Sequence, residues 1–170
     1  MSNGMHIGLV TQAYYPVLGG VTEHVWHLGQ ELQRRGHRVT VITGGIPHRL
    51  LRPGGLVDDS FRVIRHGIQI PMMSNGANVY VTIGWKLGRM LQRIEHQEQF
   101  DVVHIHSALD PGLPLIASKT MRTPKVATYH SARQMTGAWT EKLPAVFRSV
   151  WQDAIGKIQT HIAVSPAAEM

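Results

Sequence analysis

Two glycines and a set of histidines are the residues most able to do chemistry in this chain. Gly19-Gly20 follow an apolar segment, His6–Thr11, across a short loop and directly precede an amphipathic one. Backbone N–H groups at a helix start are unpaired and the helix dipole is positive there, so the pair is a natural anion site. Two glycines also let a phosphate approach the backbone closely. A tight turn needing positive φ would call for the same residues, and both readings stand at this stage. The pair is not part of a dinucleotide fingerprint. No G-x-G-x-x-G occurs, and the second strand ends RVTVITGG without a ribose-binding acid. No Gly-Lys-Ser/Thr occurs either, so there is no P-loop.

The histidines divide into three groups. His104 and His106 alternate along one strand and so face the same way. His24 and His27 lie one helical turn apart. Neither spacing supplies a third metal ligand, so packing or capping is the expected role and no metal site is expected. His130 directly follows the strand KVATY, within Tyr129-His130-Ser131. In an open parallel sheet, ligands bind beyond the carboxyl ends of the strands. His130, Ser107, Ser131 and the Gly19-Gly20 loop all fall at such ends and are expected to share one rim. A Ser-His-Asp hydrolase would need a G-x-S-x-G turn, and there is none.

The elements that must position these groups follow from periodicity. HIGLVT reads as a buried strand. Val21, Val25, Leu28 and Leu32 recur at helical spacing, predicting a helix over Val21–Arg35 with Gly36 as its cap. Arg38–Thr43 is the next strand, which completes a βαβ unit. Gly44–Asp59 reads as loop, Phe61–Arg65 as a short strand, and Ile68–Ala77 as loop or edge with a turn at Asn75-Gly76. Trp85–Gln97 is helical. Its stripe of Leu87, Met90, Leu91 and Ile94 is flanked by Lys86, Arg89 and Arg93. Asp101–His106, Lys125–Tyr129 and His161–Val164 are strands. Pro111–Lys119 is a short helix begun by proline, and Trp139–Ile158 is helical. Ser165-Pro166 reads as the start of one more helix.

The whole is an α/β fold: a Rossmann-like, mostly parallel sheet with helices on both faces. At 170 residues the chain is long enough for one domain with its own core. Its 43% hydrophobic and 16% charged residues exclude a disordered or collagen-like chain. It holds no cysteine, which excludes a disulfide scaffold, a thiolate metal site and a Cys nucleophile, and permits a cytoplasmic home. No apolar run approaches membrane-spanning length, and nothing at the N-terminus reads as a secretion signal.

The net charge of +6 is uneven. Residues 34–93 hold ten Lys/Arg against two acids, Asp58 and Asp59. An anionic partner or a merely solvated basic face would each account for this. Nucleic acid is not expected, because few aromatics are interleaved with the basic residues. The basic helix, with Trp85 at its start, could lie on an anionic membrane surface or dock its stripe on the sheet.

The segments GGVTEHVWHLGQELQRRGHRVTVIT, FDVVHIHSALDPGLPLIA, KVATYHS and HIAVSPAA, in this order and spacing, resemble the N-terminal half of a retaining GT-B glycosyltransferase of glycosyltransferase family 4. The phosphatidylinositol mannosyltransferase group is the most similar in character. The resemblance implies two Rossmann-like lobes facing across a cleft. Residues 1–170 would be the acceptor-side lobe, inactive alone, and the nucleotide-sugar lobe would lie outside them.

It implies transfer of a hexosyl or mannosyl unit from a nucleotide sugar to an acceptor hydroxyl with retention, and no metal or other cofactor. His130 would stand at the reaction centre and Gly19 and Gly20 by the donor diphosphate. Tyr14, Thr22, Asn75, Ser107, Ser131 and Arg133 would fall on the acceptor side. Trp85, Lys86, Arg89 and Arg93 would meet a membrane surface, at its inner face. The group's arginines after the Asn-Gly turn are missing here, since Asn75-Gly76 runs into Ala77-Asn78-Val79-Tyr80. The acceptor, glycan or lipid, is therefore left open. Self-association through the face that would meet the second lobe is expected. The rival reading is a stand-alone, non-catalytic module that binds a glycan or an anionic lipid headgroup.

Overall fold

The computed structural model describes residues 4–46, 50, 60–74, 77–130 and 145–165. In chain order these form β1 (His6–Val10), α1 (Gly20–Arg34), β2 (Arg38–Thr43), β3 (Arg62–Arg65), β4 (Ile68–Ser74) and β5 (Ala77–Ile83). Then come α2 (Leu87–Glu98), β6 (Val102–His106), α3 (Leu113–Thr120), β7 (Lys125–Tyr129), α4 (Ala145–Gly156) and β8 (Thr160–Ala163). Six strands make one sheet in the order β3-β2-β1-β6-β7-β8, and every pairing in it is parallel. This is the doubly wound order, with the direction of winding reversing between β1 and β6.

The strands are continuous apolar runs because both faces are covered. Ile7, Leu9, Val39 and Val41 meet Val25 and the partly buried Leu28 and Leu32 of α1. Val10, Ile42, Val103 and Ile105 belong to the opposite core, with Leu87, Leu91 and Ile94 of α2 and Leu113 and Ala117 of α3. Close approach explains one glycine of α1: a Cβ at Gly29 would lie 2.6 Å from the Phe61 ring. The helix stops where expected. Gly36 takes φ +86°, its N–H bonds Gln33 O at 2.8 Å, and the His37 N–H bonds Leu32 O at 3.0 Å. That paired closure is the Schellman arrangement.

Three expectations are corrected. The segment Ile68–Ala77 is not loop: Ile68–Ser74 and Ala77–Ile83 form an antiparallel hairpin, β4-β5, separate from the main sheet. Pro71 is tolerated there because both strands of a two-stranded ribbon are edges. The helix expected from Trp85 begins at Leu87, since Lys86 is held at φ 60°. The short helix begins at Leu113 with Pro114, rather than Pro111, in its first turn. The Asn75-Gly76 turn, residues 139–144 of the expected Trp139–Ile158 helix, and the helix expected from Ser165-Pro166 beyond Ser165 lie outside the described residues.

The hairpin is tied to the carboxyl edge of the sheet. Gln69 Nε2 and Thr82 Oγ1 donate to Gln12 O at 2.7 and 3.2 Å. A Cβ at Gly112, whose φ is +96°, would lie 2.5 Å from Thr82 O. Among the described residues no helix is long and apolar enough to cross a membrane.

Candidate functional site at the carboxyl edge of the sheet

The loop after β1, the residue after β6 and the residue after β7 converge because β1, β6 and β7 are neighbours in the sheet. Gly19 is the N-cap of α1, with extended backbone (φ 168°, ψ 162°), and no side chain caps the first turn. A Cβ at Gly19 or Gly20 would meet no atom within 4 Å. Neither packing nor positive φ therefore requires glycine at these two positions. The space over the helix N-terminus is open, as an anion site requires.

His24, one turn into α1, carries that helix start to the histidines. Its ring centroid lies 4.9 Å from that of His130 and 5.5 Å from that of His106. His106 Nδ1 and His130 Nε2 are 3.1 Å apart. His104 stacks on His106 at 4.5 Å, as their alternation on β6 predicts, and its Nε2 pairs with Thr128 Oγ1 at 2.7 Å. Burial first, then the neighbouring imidazoles, lowers the affinity of these rings for a proton. His104 and His130 are pushed down to about 4, and the fully enclosed His106 lies well below its ordinary value. All three are neutral near pH 7.

Two further features mark this edge. Ser107 sits at φ 55°, a left-handed conformation uncommon for a non-glycine residue, held by its N–H to Thr128 O at 2.8 Å. Among the described residues, the buried side-chain polar atoms without a hydrogen-bond partner are Gln12 Oε1, Thr43 Oγ1, Gln69 Oε1 and His106 Nε2. Each belongs to the carboxyl end of a strand or to the loop and hairpin packed over that end. Buried polar groups are nearly always paired, so this gathering marks the carboxyl edge as the candidate binding site.

Sequence reasoning missed two residues here. His24 was paired with His27, and only the packing of α1 against the sheet shows that it meets His106 and His130. Arg65, at the carboxyl end of β3, donates to Tyr15 O and so anchors the loop leading to Gly19. Its strand-end position was the available signal.

Other expected site residues lie elsewhere. Tyr14, expected on the acceptor side, is 1% exposed and packs in the core beneath α1. Thr22 is also buried, and its Oγ1 donates to Val17 O at 2.9 Å. Both shape the glycine loop from within rather than face a ligand. Asn75, Ser131 and Arg133 lie outside the described residues. Trp85 is 85% exposed, and Lys86, Arg89 and Arg93 also face solvent. The stripe of Leu87, Leu91 and Ile94 is spent on the core, so α2 docks on the sheet and has no free apolar face.

A hollow of about 560 Å³ lies at the opposite edge, lined by Gln92, Glu95, His96, Gln99, Phe100, Arg122 and Thr123. There Glu95 already accepts from the N–H groups of Arg122 and Thr123 and from Thr123 Oγ1. It offers no comparable group of polar atoms left without partners.

The family model for glycosyltransferase family 4 matches residues 18–169. A phosphatidyl-myo-inositol mannosyltransferase of Propionibacterium freudenreichii is 32% identical over 167 residues, covering 96% of this chain and 42% of the relative. An alpha-monoglucosyldiacylglycerol synthase of Acholeplasma laidlawii is 33% identical over 141 residues, covering 82% of this chain and 33% of that protein. The chain thus spans about two fifths of the length of the mannosyltransferase it matches.

Among solved structures, sucrose-phosphate synthase from Thermosynechococcus elongatus superposes with a TM-score of 0.54 at 14% identity, over 95% of this chain and 43% of that one. An alpha-glucosyltransferase in complex with UDP and DNA gives 0.52 at 12% identity, over 95% and 38%. These likenesses show the fold, a Rossmann-like sheet of the GT-B type.

Proposed function

The chain belongs to glycosyltransferase family 4, and from that premise we propose that it is the acceptor-side lobe of a metal-independent retaining glycosyltransferase. The donor is a nucleoside-diphosphate sugar and the acceptor a hydroxyl of a glycan or lipid. The observation that carries this reading is the open backbone at Gly19-Gly20, one helical turn from His24, whose ring lies 4.9 Å from that of His130.

In the reaction the bond between the anomeric carbon and the diphosphate oxygen breaks. A new bond forms to the acceptor oxygen on the same face, and the acceptor proton leaves with the diphosphate. Negative charge grows on the departing diphosphate, where the first-turn N–H groups of α1 and the helix dipole stabilise it. Positive charge grows on the sugar ring. His130, neutral near pH 7, adds no opposing charge there and holds the sugar by hydrogen bonding, as a positioner rather than a nucleophile. The relatives named for inositol-lipid mannosylation and diacylglycerol glucosylation support a lipid acceptor as one member of the class.

Peripheral contact with an anionic, cytoplasmic membrane face belongs to the same reading. Trp85, Lys86, Arg89 and Arg93 are the exposed groups that would make it. The hairpin adds Ile68, Ile70 and Met72 on one strand and Val79 and Ile83 on the other, all exposed. The face that meets a second lobe is proposed to self-associate in the isolated chain, and static light scattering showing only monomer at high concentration would remove that part.

The test is transfer by the protein of the complete reading frame, screened with nucleotide sugars and lipid and glycan acceptors. Product formation that the isolated 170-residue chain does not support is the expected result. The absence of nucleotide-sugar turnover by the complete protein with every acceptor would overturn the reading.

A further inference from the structure

The proposed function uses one of the clustered histidines, His130, and leaves the others without a role. His24 from α1, His106 from β6 and His130 from the end of β7 each offer a ring nitrogen, and these atoms all lie within 4.8 Å of one another. His106 Nδ1 and His130 Nε2 already stand 3.1 Å apart. Two nitrogens bound to one tetrahedral zinc ion at about 2.0–2.1 Å are separated by about 3.3 Å. Burial holds His106 and His130 below their ordinary values, and partial desolvation with the neighbouring His27 lowers His24 as well, which favours the neutral form that ligates metals.

We propose that His24, His106 and His130 form a binding site for a divalent transition-metal ion of the zinc class, with three imidazole ligands and an open fourth position. Three neutral nitrogens without a carboxylate suit Zn²⁺, Co²⁺ or Ni²⁺ and not Mg²⁺ or Ca²⁺. Binding exchanges the His106–His130 hydrogen bond for two coordinate bonds. The ring that carried the shared proton moves it to its other nitrogen, so no net ionisation is needed. His24, the exposed member, is free to turn inward and close the shell. Where His130 serves the sugar, an ion held here withdraws it, so occupancy is inhibitory. That consequence rests on the proposed function, whereas the site itself does not.

The experiment is a Co²⁺ titration of the tag-free chain, followed by visible absorption and then by displacement with Zn²⁺. The site predicts one equivalent of Co²⁺ with the intense ligand-field bands of a four-coordinate nitrogen site, bleached by Zn²⁺. Loss of an outer-shell partner alone typically costs 10–100-fold in affinity, so His24→Ala, removing a ligand, weakens binding by at least about tenfold. The metal-free thermal melt of this variant shifts only slightly, since the residue is exposed and meets His106 and His130 by ring-edge contacts alone. His27→Ala, one turn away and outside the cluster, binds as the unmodified chain does. Absence of ligand-field bands, or equal affinity of His24→Ala and the unmodified chain, overturns the proposal. Sugar transfer enters none of these readouts, so failure here leaves the proposed function standing.

Discussion

His106 Nδ1 lies 3.1 Å from His130 Nε2. The relationship joins a fully buried ring at the end of β6 to the half-buried ring that follows β7. One of the two nitrogens must carry the proton and the other must accept it. The contact occupies Nε2 of His130, leaves its Nδ1 side for a ligand, and couples the tautomers of the two rings.

If His130 positions the transferred sugar, His130→Ala in the complete enzyme loses about a hundredfold or more in kcat, on the scale of removing one preorganised donor from a reaction centre. The thermal melt of the variant stays close to that of the parent. Steady-state assays with saturating donor check this, and unchanged kcat would remove His130 from the reaction centre.

Gly20→Val separates a ligand role from a folding role. A Cβ there meets nothing within 4 Å, so stability changes by no more than about 0.5 kcal/mol. Donor binding falls, because the branched side chain fills the space over the first-turn N–H groups. Isothermal titration with a nucleotide sugar, beside a urea melt, reads both. Intact binding, or a large loss of stability, contradicts the assignment. Gly112→Ala is the opposite case: its φ of +96° and the 2.5 Å approach to Thr82 O predict a loss of about 1–2 kcal/mol or more.

The histidine cluster makes stability depend on pH in a defined direction. The folded values of His104 and His130 are near 4, below the 6.5 of a free imidazole, and His106 is lower than its ordinary value as well. Between the two values the unfolded chain binds more protons than the folded one, so stability rises with pH. It is fully present above about pH 6.5 and is lost as pH falls towards 4. The groups facing one another are His24 of α1, His104 and His106 of β6, and His130, with no carboxylate among them to reverse the sign. Urea melts at about pH 7 and about pH 5, with chelator present, are expected to differ by roughly 1–3 kcal/mol. Equal midpoints would show that the rings protonate without cost.

Charge reversal on α2 tests the membrane contact. Arg89→Glu with Arg93→Glu leaves the core stripe untouched. Each basic residue near an anionic surface contributes about 1 kcal/mol, so the double variant lowers partition onto phosphatidylglycerol vesicles by about tenfold or more. Trp85→Ala lowers it further. Sedimentation with vesicles measures this, and partition that ignores both changes would assign the basic face to solvent alone.

The parallel sheet was legible because its strands are apolar runs, and α1 because its apolar stripe and Gly36 mark a helix and its end. His104 and His106 share a face as their alternation requires. The hairpin was not legible. Pro71 and the Met72-Met73 pair break the alternation that marks a strand, and only a ribbon with two edges admits the proline. The histidine cluster was half legible: the strand period places two rings, while His24 arrives from a helix 80 residues earlier than His104 through packing that spacing does not encode. The family resemblance implies an acceptor-side role for Tyr14 and Thr22, and no residue pattern marks that both are buried in the loop's own core.

The first turn of α1 and the His130 ring are proposed to serve one phosphorylated sugar. A crystal structure of the complete protein with a bound nucleoside-diphosphate sugar tests it most directly. The diphosphate is expected against the N–H groups of Gly20 and Val21, with the sugar against His130. A diphosphate seated away from Gly19-Gly20, or a sugar out of contact with His130, would contradict it.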